Sequence, residues 1–355
     1  MAMDAEGARV YEETRKWIAK MAGGPAKTTG ALAPFTAHLL EHAKMTAAYS
    51  QHYEEGRAFA KKYYIQENAR RNYNKDVEKK PGGRLKPVPV DDLIGSRVRR
   101  KLEHFLKIAE SKDAELNELG EYIAFKTNTT WIQGPVKLIE DDDGRGAYGK
   151  TIKDNLLDWT KNKDLIRGTC AAKTEQEVSS IASKIQIFCT PVHGMSLIKW
   201  EQKKAAEQPL GYSDWNFAVV MKGSPVPMEI QVNTFAMLYG KFSKADYMRM
   251  VHVDVAEYEK TKRELGFEGG LQHLFYEIYQ TNKGGPDAKA AAELSKKYCN
   301  MIRMNESERR AEAAKVAQEI NVFHTKLETP GAKKIWFKRI SICGPHPAHR
   351  SQAAS

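Results

Sequence analysis

The sequence predicts an α+β protein with an additional, mainly helical N-terminal region, and three observations carry this. Residues 35–74 hold no Pro and one Gly, and Leu39, Leu40, Ala43, Ala47, Tyr49, Tyr53, Phe59, Tyr63 and Tyr64 recur at close to helical spacing. Beyond residue 130, short apolar runs alternate with helical stretches. Residues 217–222 and 228–232 read as two strands joined by a Gly-Ser-Pro-Val-Pro turn.

In chain order, residues 8–21 read as a short helix stopped by Gly23-Gly24-Pro25. The long helical stretch follows, as one long helix or a helix pair, its aromatic residues expected to pack on a partner helix. Lys79-Lys80-Pro81-Gly82-Gly83-Arg84 through Pro89 is a basic, Pro- and Gly-rich loop and the candidate domain boundary. Two helices are expected next, over 91–110 and 111–127, the first opening on acidic residues that suit the helix dipole. A strand over 165–172, a helix over 175–184 and the strand pair come after. Helices are expected over 235–264, 271–281, 287–304 and 306–326, then a basic strand over 333–342. Trp131, Trp159, Trp200 and Trp336 are assigned to packing. The expected division is a basic helical region at 1–110, an α+β domain at 115–300 and a helical extension with a polar tail at 301–355.

Composition narrows the function classes. Apolar residues make up 41% and charged residues 28%, which describes a globular chain. No run of eighteen apolar residues exists, so no membrane span is expected. Residues 1–10 carry acidic side chains and no apolar core, unlike a secretory signal. The four cysteines form no Cys-x-x-Cys pair and fit no zinc template. The cytoplasm is the expected site of action, and signal-free delivery into another cell is left open. The net charge is +11, and residues 57–107 hold 15 Lys and Arg against 6 Asp and Glu. Such a field attracts nucleotides, tRNA or acidic proteins; a solvated helix face and a basic loop explain it equally well.

The chemistry-bearing residues fall in three places. In Met228-Glu229-Ile230-Gln231-Val232-Asn233-Thr234, the strand period of two turns Met228, Ile230 and Val232 one way and Glu229, Gln231 and Asn233 the other. Asp164 opens the run Asp164-Leu165-Ile166-Arg167-Gly168-Thr169, with Lys161 and Lys163 just before it. Paired carboxylates on neighbouring strands suit a magnesium ion that bridges phosphate oxygens. Gly211-Tyr212-Ser213-Asp214-Trp215-Asn216 leads into the next strand, where Gly permits a tight turn and Tyr can present a ring face to a base. Each of these alone describes an ordinary strand or turn.

Taken in this order, the three elements resemble the synthetase domain of the RelA/SpoT family, and most closely its small toxin branch. Asp164, Gly211-Tyr212, and Glu229-Ile230-Gln231 with Thr234 carry the likeness. Gly134-Pro135-Val136-Lys137, Lys150 and Lys153 are similar to the family's basic clamp on ATP phosphates. Gly269-Gly270-Leu271-Gln272-His273-Leu274-Phe275-Tyr276-Glu277 is similar to a helix that follows the core. The resemblance implies a nucleotidyltransferase-like mixed sheet flanked by helices. It implies pyrophosphate transfer from ATP, with Mg2+, to a ribose hydroxyl of a nucleotide or of tRNA. Asp164 and Glu229 would hold the metal, Glu229 would act as base and Gln231 would position it. Lys137, Lys150, Lys153 and Arg167 would hold the ATP phosphates. Gly211, Tyr212, Asn216 and Asn233 would bind the acceptor, and His273 would border the site. An antitoxin or immunity protein is the implied partner.

The chain departs from the family pattern at four places. Pro135 stands where the clamp often has Arg, and Asp141-Asp142-Asp143-Gly144-Arg145 is an acidic insertion. Asn216 replaces a His, and Asn233 replaces an Arg, of the long alarmone synthetases. No His-Asp hydrolase motif is present. The alternative expectation is a catalytically inactive module of the same fold that binds a nucleotide or RNA.

Overall fold

The computed structural model describes residues 33–78, 88–140, 146–153, 155–250, 255–265, 269–281 and 284–327. The expectations for 8–21, for most of the basic loop, for the acidic insertion and for 333–342 lie outside the described residues, as does Trp336.

The fold is α+β: a five-stranded mixed sheet with ten α-helices among the described residues. Helix α1 (Ala33–Glu78) is one long helix, the first of the two arrangements that its spacing allows. Helix α2 (Asp92–Thr127) is also single, which corrects the expectation of two. The polar run around Glu110 to Asp113 does not break it, because Ala109 and Leu116 keep the buried stripe in phase and the Ser111 hydroxyl donates to the Ile108 carbonyl at 2.7 Å. The Asp91 carboxylate caps its start by accepting from the Leu93 and Ile94 amides, at 2.9 and 3.1 Å. This helix passes through 110–115, where the sequence reading divides the chain.

The sheet is built from β1 (Thr130–Gln133), β2 (Arg167–Ala172), β3 (Met195–Lys203), β4 (Asp214–Met221) and β5 (Pro227–Thr234), in the order β1-β2-β5-β4-β3. Only the β2–β5 pair is parallel. Strands β1 and β3 and helix α3 (Ala147–Lys153) were not expected from the sequence. Helix α4 (Glu175–Phe188) follows β2, and the Glu177 carboxylate closes its first turn by accepting from the Thr174 amide at 3.1 Å. The expected helix over 235–264 is three pieces: α5 (Phe235–Lys241), α6 (Lys244–Tyr247) and α7 (Val255–Leu265). Phe242 turns extended and Ser243 caps the next helix, so the chain cannot continue straight. Helices α8 (Leu271–Thr281), α9 (Pro286–Arg303) and α10 (Glu306–Leu327) match expectation within a residue or so. No described helix is long and apolar enough to cross a membrane.

The two faces of the sheet carry different loads. One face presents Cys170, Phe217, Val219, Met228, Ile230 and Val232 to α2 and α4, forming the first core. The other face is covered at one end by a second core, in which Ile132 and Ala171 meet residues of α5 and of α7 to α10. Its remaining end stays polar and open.

Helix α1 props the loop that leads to Asp164. Phe59 packs on Trp159 at 4.9 Å, and His52 lies 3.9 Å from Phe105 of α2, between ring centroids. A Cβ at Gly56 would come within 2.3 Å of Thr160 Cγ2, so the helix lies directly on this loop. Trp131 and Trp159 are buried, as assigned. Trp200 is not: it is 51% exposed on the edge strand and stacks on Trp215 at 5.5 Å. Among the described residues no further strand pairs with edge strand β3.

A candidate active site on the polar face

Strand register sets the site. Arg167 of β2 and Ala218 of β4 stand opposite Glu229, and Lys199 of β3 stands opposite Ala218. Directly opposed residues share a face, so these form one row. Thr169, Gln231, Asn216 and Glu201 form the next. Asn233, opposite Ala171, lies one step further along β5, and Lys203 pairs with Asp214 at that end of β3 and β4. The predicted polar row of β5 therefore runs from Glu229 at the open end to Asn233, buried beside Ala171 at the covered end.

Asp164 sits just before β2. The segment before α3 runs beside it, since the Gly134 amide donates to the Arg167 carbonyl at 2.9 Å and the Lys137 amide to the Leu165 carbonyl at 2.8 Å. This places Lys137 Nζ 2.8 Å from Asp164 Oδ2. Helix α3 brings Lys150 Nζ to 3.2 Å from each carboxylate oxygen, and Arg167 Nη1 lies at 4.0 Å. Burial opposes the charged form of Asp164, yet Lys137 and Lys150 hold its carboxyl well below the usual carboxylate range. One carboxylate faces three cations, so the cluster keeps surplus positive charge. Buried positive charge without a counterion is costly, and a polyanionic ligand offsets it.

The loop from α3 to Asp164 is tightly built. Leu156 and Leu157 both take left-handed backbone angles, at φ 50° and 70°. Such angles cost a branched residue about 1–3 kcal/mol each and persist only where surrounding structure fixes them. Here Leu157 is fully buried, and the Asp158 carboxylate accepts from the Thr160 amide at 3.1 Å.

A cleft of about 190 Å³ opens over this face. Its walls include Lys150, Asp164, Asn216, Ala218 and Glu229, together with Lys161, Lys163, Lys199, Glu201 and Lys203. Both predicted carboxylates thus line one space. The Asn216 amide donates to Glu229 Oε1 and orients it. Glu229 has Arg167 and the Asp164 cluster on its β2 side and Lys199 and Lys203 on its β3 side.

Beside the cleft is a second cluster. The Lys241 ammonium donates to Gln231 Oε1 at 3.1 Å and stands 5.5 Å from the centre of the Tyr212 ring. Burial brings its pKa down to about 8; Arg167 and Lys203 add to this, while Asp214 and Glu229 oppose it. Asn233 Nδ2 donates to the Tyr212 hydroxyl at 3.0 Å and to the Ser213 carbonyl at 3.1 Å. Burial, then the nearby Asp214, push the Tyr212 hydroxyl well above its ordinary pKa. Asp214 is buried and meets Lys203 Nζ at 3.4 Å.

Of the residues singled out from sequence, Asp164, Glu229, Lys150 and Asn216 line the cleft, and Lys137 and Arg167 reach it through Asp164. Gln231, Asn233, Tyr212 and Gly211 lie in or beside the second cluster. Lys153 is the last residue of α3. His273 lies in neither group: it is exposed on α8 and faces Glu277 at 3.4 Å. Thr234 caps α5 by accepting from the Met237 amide at 3.2 Å. Sequence reading missed Lys199, Glu201, Lys203, Lys241 and Arg303. The period-two spacing of the first three was the available signal, and β3 was not recognised. Nothing local marks Lys241 or Arg303.

The donor set suits magnesium in one specific way. Among the described residues no three His, Cys, Asp or Glu side chains converge on a metal-sized space. Two carboxylates in one cleft, with phosphate oxygens supplied by a substrate, are what magnesium usually takes.

No family model matches the sequence, and no curated protein matches it. Solved structures do. The complex of the type VI effector Tas1 with its immunity protein aligns at 26% identity over 57% of this chain and 95% of that one, with a TM-score of 0.45. A GTP pyrophosphokinase family protein from Streptococcus pneumoniae aligns at 12% identity over 61% and 96%, TM-score 0.36. Small alarmone synthetase 1 from Bacillus subtilis aligns at 14% identity over 61% and 99%, TM-score 0.38. The aligned share leaves more than a third of this chain outside each of these likenesses.

Proposed function

We propose that this cleft transfers the β,γ-pyrophosphoryl group of ATP to a ribose hydroxyl of a nucleoside 5′-polyphosphate, as in alarmone synthesis. The observation that carries the reading is the pairing of Asp164 and Glu229 in one cleft with a cationic arm on either side of Glu229.

On this reading Lys137, Lys150 and Arg167 exchange their contacts with Asp164 for the phosphate oxygens of ATP. Magnesium, held by Asp164, Glu229 and the phosphates, would supply charge compensation on the phosphoryl oxygens. Glu229, oriented by Asn216, accepts the proton of the acceptor hydroxyl. The freed oxygen attacks the β-phosphorus, the bond from that phosphorus to the α–β bridging oxygen breaks, and AMP leaves with the electron pair. Positioning and fixed charge do most of the work, because such a transfer asks for little covalent chemistry from the protein. Tyr212, held by Asn233, offers a ring for the acceptor base.

Lys161, Lys163, Lys199 and Lys203 support a polyphosphate acceptor. They add cations beyond those that reach Asp164, and an acceptor with its own 5′-phosphates uses them. Growth inhibition, and an antitoxin or immunity protein that restrains it, belong to the same proposal.

The test is AMP release from labelled ATP with Mg2+, offering GDP, GTP, ADP, ATP and bulk tRNA separately, in wild type, Glu229→Gln and Asp164→Asn. Label moving to a nucleotide, and lost at least about a hundredfold in both variants, is the expected result. Transfer to tRNA alone would overturn the acceptor assignment. ATP binding with no transfer to any acceptor would establish the inactive module instead.

A further inference from the structure

The turn that carries Tyr212 is held from two sides: Asn233 of β5 binds the Tyr212 hydroxyl and the Ser213 carbonyl, and α9 binds the residues around them. Gly211 adopts φ +71°, and a Cβ there would come within 2.9 Å of the backbone of Lys296, so turn and helix touch. The Ser295 hydroxyl of α9 donates to the Leu210 carbonyl at 2.8 Å.

Arg303, the last residue of α9, completes the clamp. Its Nε and Nη2 donate to Ser213 Oγ at 3.2 and 2.9 Å, and Nη2 also donates to the Gly211 carbonyl. Its Nη1 donates to Asn300 Oδ1 at 3.2 Å, and its Nε stands 3.9 Å from Glu175 Oε1 at the start of α4. A guanidinium fork can hold this many acceptors in one plane, and a lysine ammonium cannot copy the geometry. The residues on both sides of Tyr212 are therefore bound to one side chain that lies 90 and 92 positions later in the chain.

We propose that Arg303 is a positioning residue for the acceptor: through Gly211 and Ser213 it fixes the Tyr212 ring on which the acceptor base rests. This rests on the pyrophosphate-transfer reading above. Arg303 touches no substrate; it sets how well the ring is placed before the acceptor arrives. Loss of the clamp should leave the Asp164 and Lys137 cluster unchanged, since Arg303 makes no contact there among its hydrogen bonds.

The experiment measures the KM for acceptor and for ATP separately in the full chain, using the acceptor that wild type accepts, with Arg303→Met, Arg303→Lys and Ser213→Ala. Charge-assisted hydrogen bonds of this kind lead us to expect acceptor KM to rise about tenfold in Arg303→Met. ATP KM should stay within about twofold, Ser213→Ala should move in the same direction, and Arg303→Lys should restore part of the loss. Thermal unfolding of each variant is recorded alongside. Equal changes in both KM values, or a lower melting temperature with acceptor KM unchanged, would show that Arg303 only stabilises the fold. If Arg303→Met does not fold, Ser213→Ala decides by the same split. A wild type that transfers to no acceptor sinks the pyrophosphate reading and this inference with it. An active wild type with unaltered acceptor KM in the variants sinks this inference alone.

Discussion

His52 makes the attachment of α1 sensitive to acid. It is buried against Phe105 of α2 and near Trp159, with Glu55, Lys101 and His104 as its charged or titratable neighbours. Burial brings its pKa down from 6.5 to about 4; Lys101 and His104 add to this and Glu55 opposes it. The folded state therefore holds the neutral ring through a pH range where the unfolded chain binds a proton. Stability from this group is fully present above about pH 6.5 and is lost as pH falls toward 4, because there the unfolded state carries the extra proton. At pH 4.5 the linkage amounts to about 2.5 kcal/mol. Other carboxylates titrate in the same window, so the informative quantity is a difference. Denaturant unfolding of wild type and His52→Phe should be compared at pH 7.5 and pH 4.5. The variant keeps a ring against Phe105 and removes the proton, so it should gain about 2–3 kcal/mol on wild type between the two pH values. Parallel loss of stability in both proteins would refute the reasoning.

Two further predictions concern the site. Asp164→Asn should bind ATP more tightly than wild type when divalent ions are chelated, because Lys137 and Lys150 lose their internal competitor; calorimetric titration in EDTA checks this, and weaker binding would contradict it. Acceptor KM should rise above about pH 8, as Lys241 gives up its proton beside Tyr212, and that rise should vanish in Lys241→Met; a pH profile of KM at saturating ATP reads it.

The sequence disclosed what is local and hid what is assembled from distant positions. The alternation in β5 was legible because a period of two is written in consecutive residues, and so was the order of Asp164, Tyr212 and Glu229. Helix α2 was misdivided because a polar run on its exposed side resembles a break when burial is unknown. The helix over 235–264 failed in the opposite way: its apolar content continues through Phe242, but the backbone there turns extended. Strand β3 escaped because it alternates Lys199, Glu201 and Lys203 with Trp200 and Gln202, and so lacks the apolar face that marks a strand. Its register with β4 is what makes those lysines part of the cleft.

The distribution of support explains why the site needs both helical layers. The open end of the sheet cannot hold a strongly cationic cleft by strand pairing alone, since the lysines repel one another and a flexible loop would relieve that by moving away. On one side, His52 and Phe59 of α1 pack on Trp159, His52 also rests on Phe105 of α2, and the strained pair Leu156-Leu157 feeds directly into the loop that ends at Asp164. On the other, α9 grips Gly211 and Ser213 through Arg303. The Asp164 side and the Tyr212 side of the cleft are thus each fixed by a helix distant in sequence and packed on an opposite face of the sheet. On the proposed function, repulsion that is held in place in this way is offset when a polyphosphate binds.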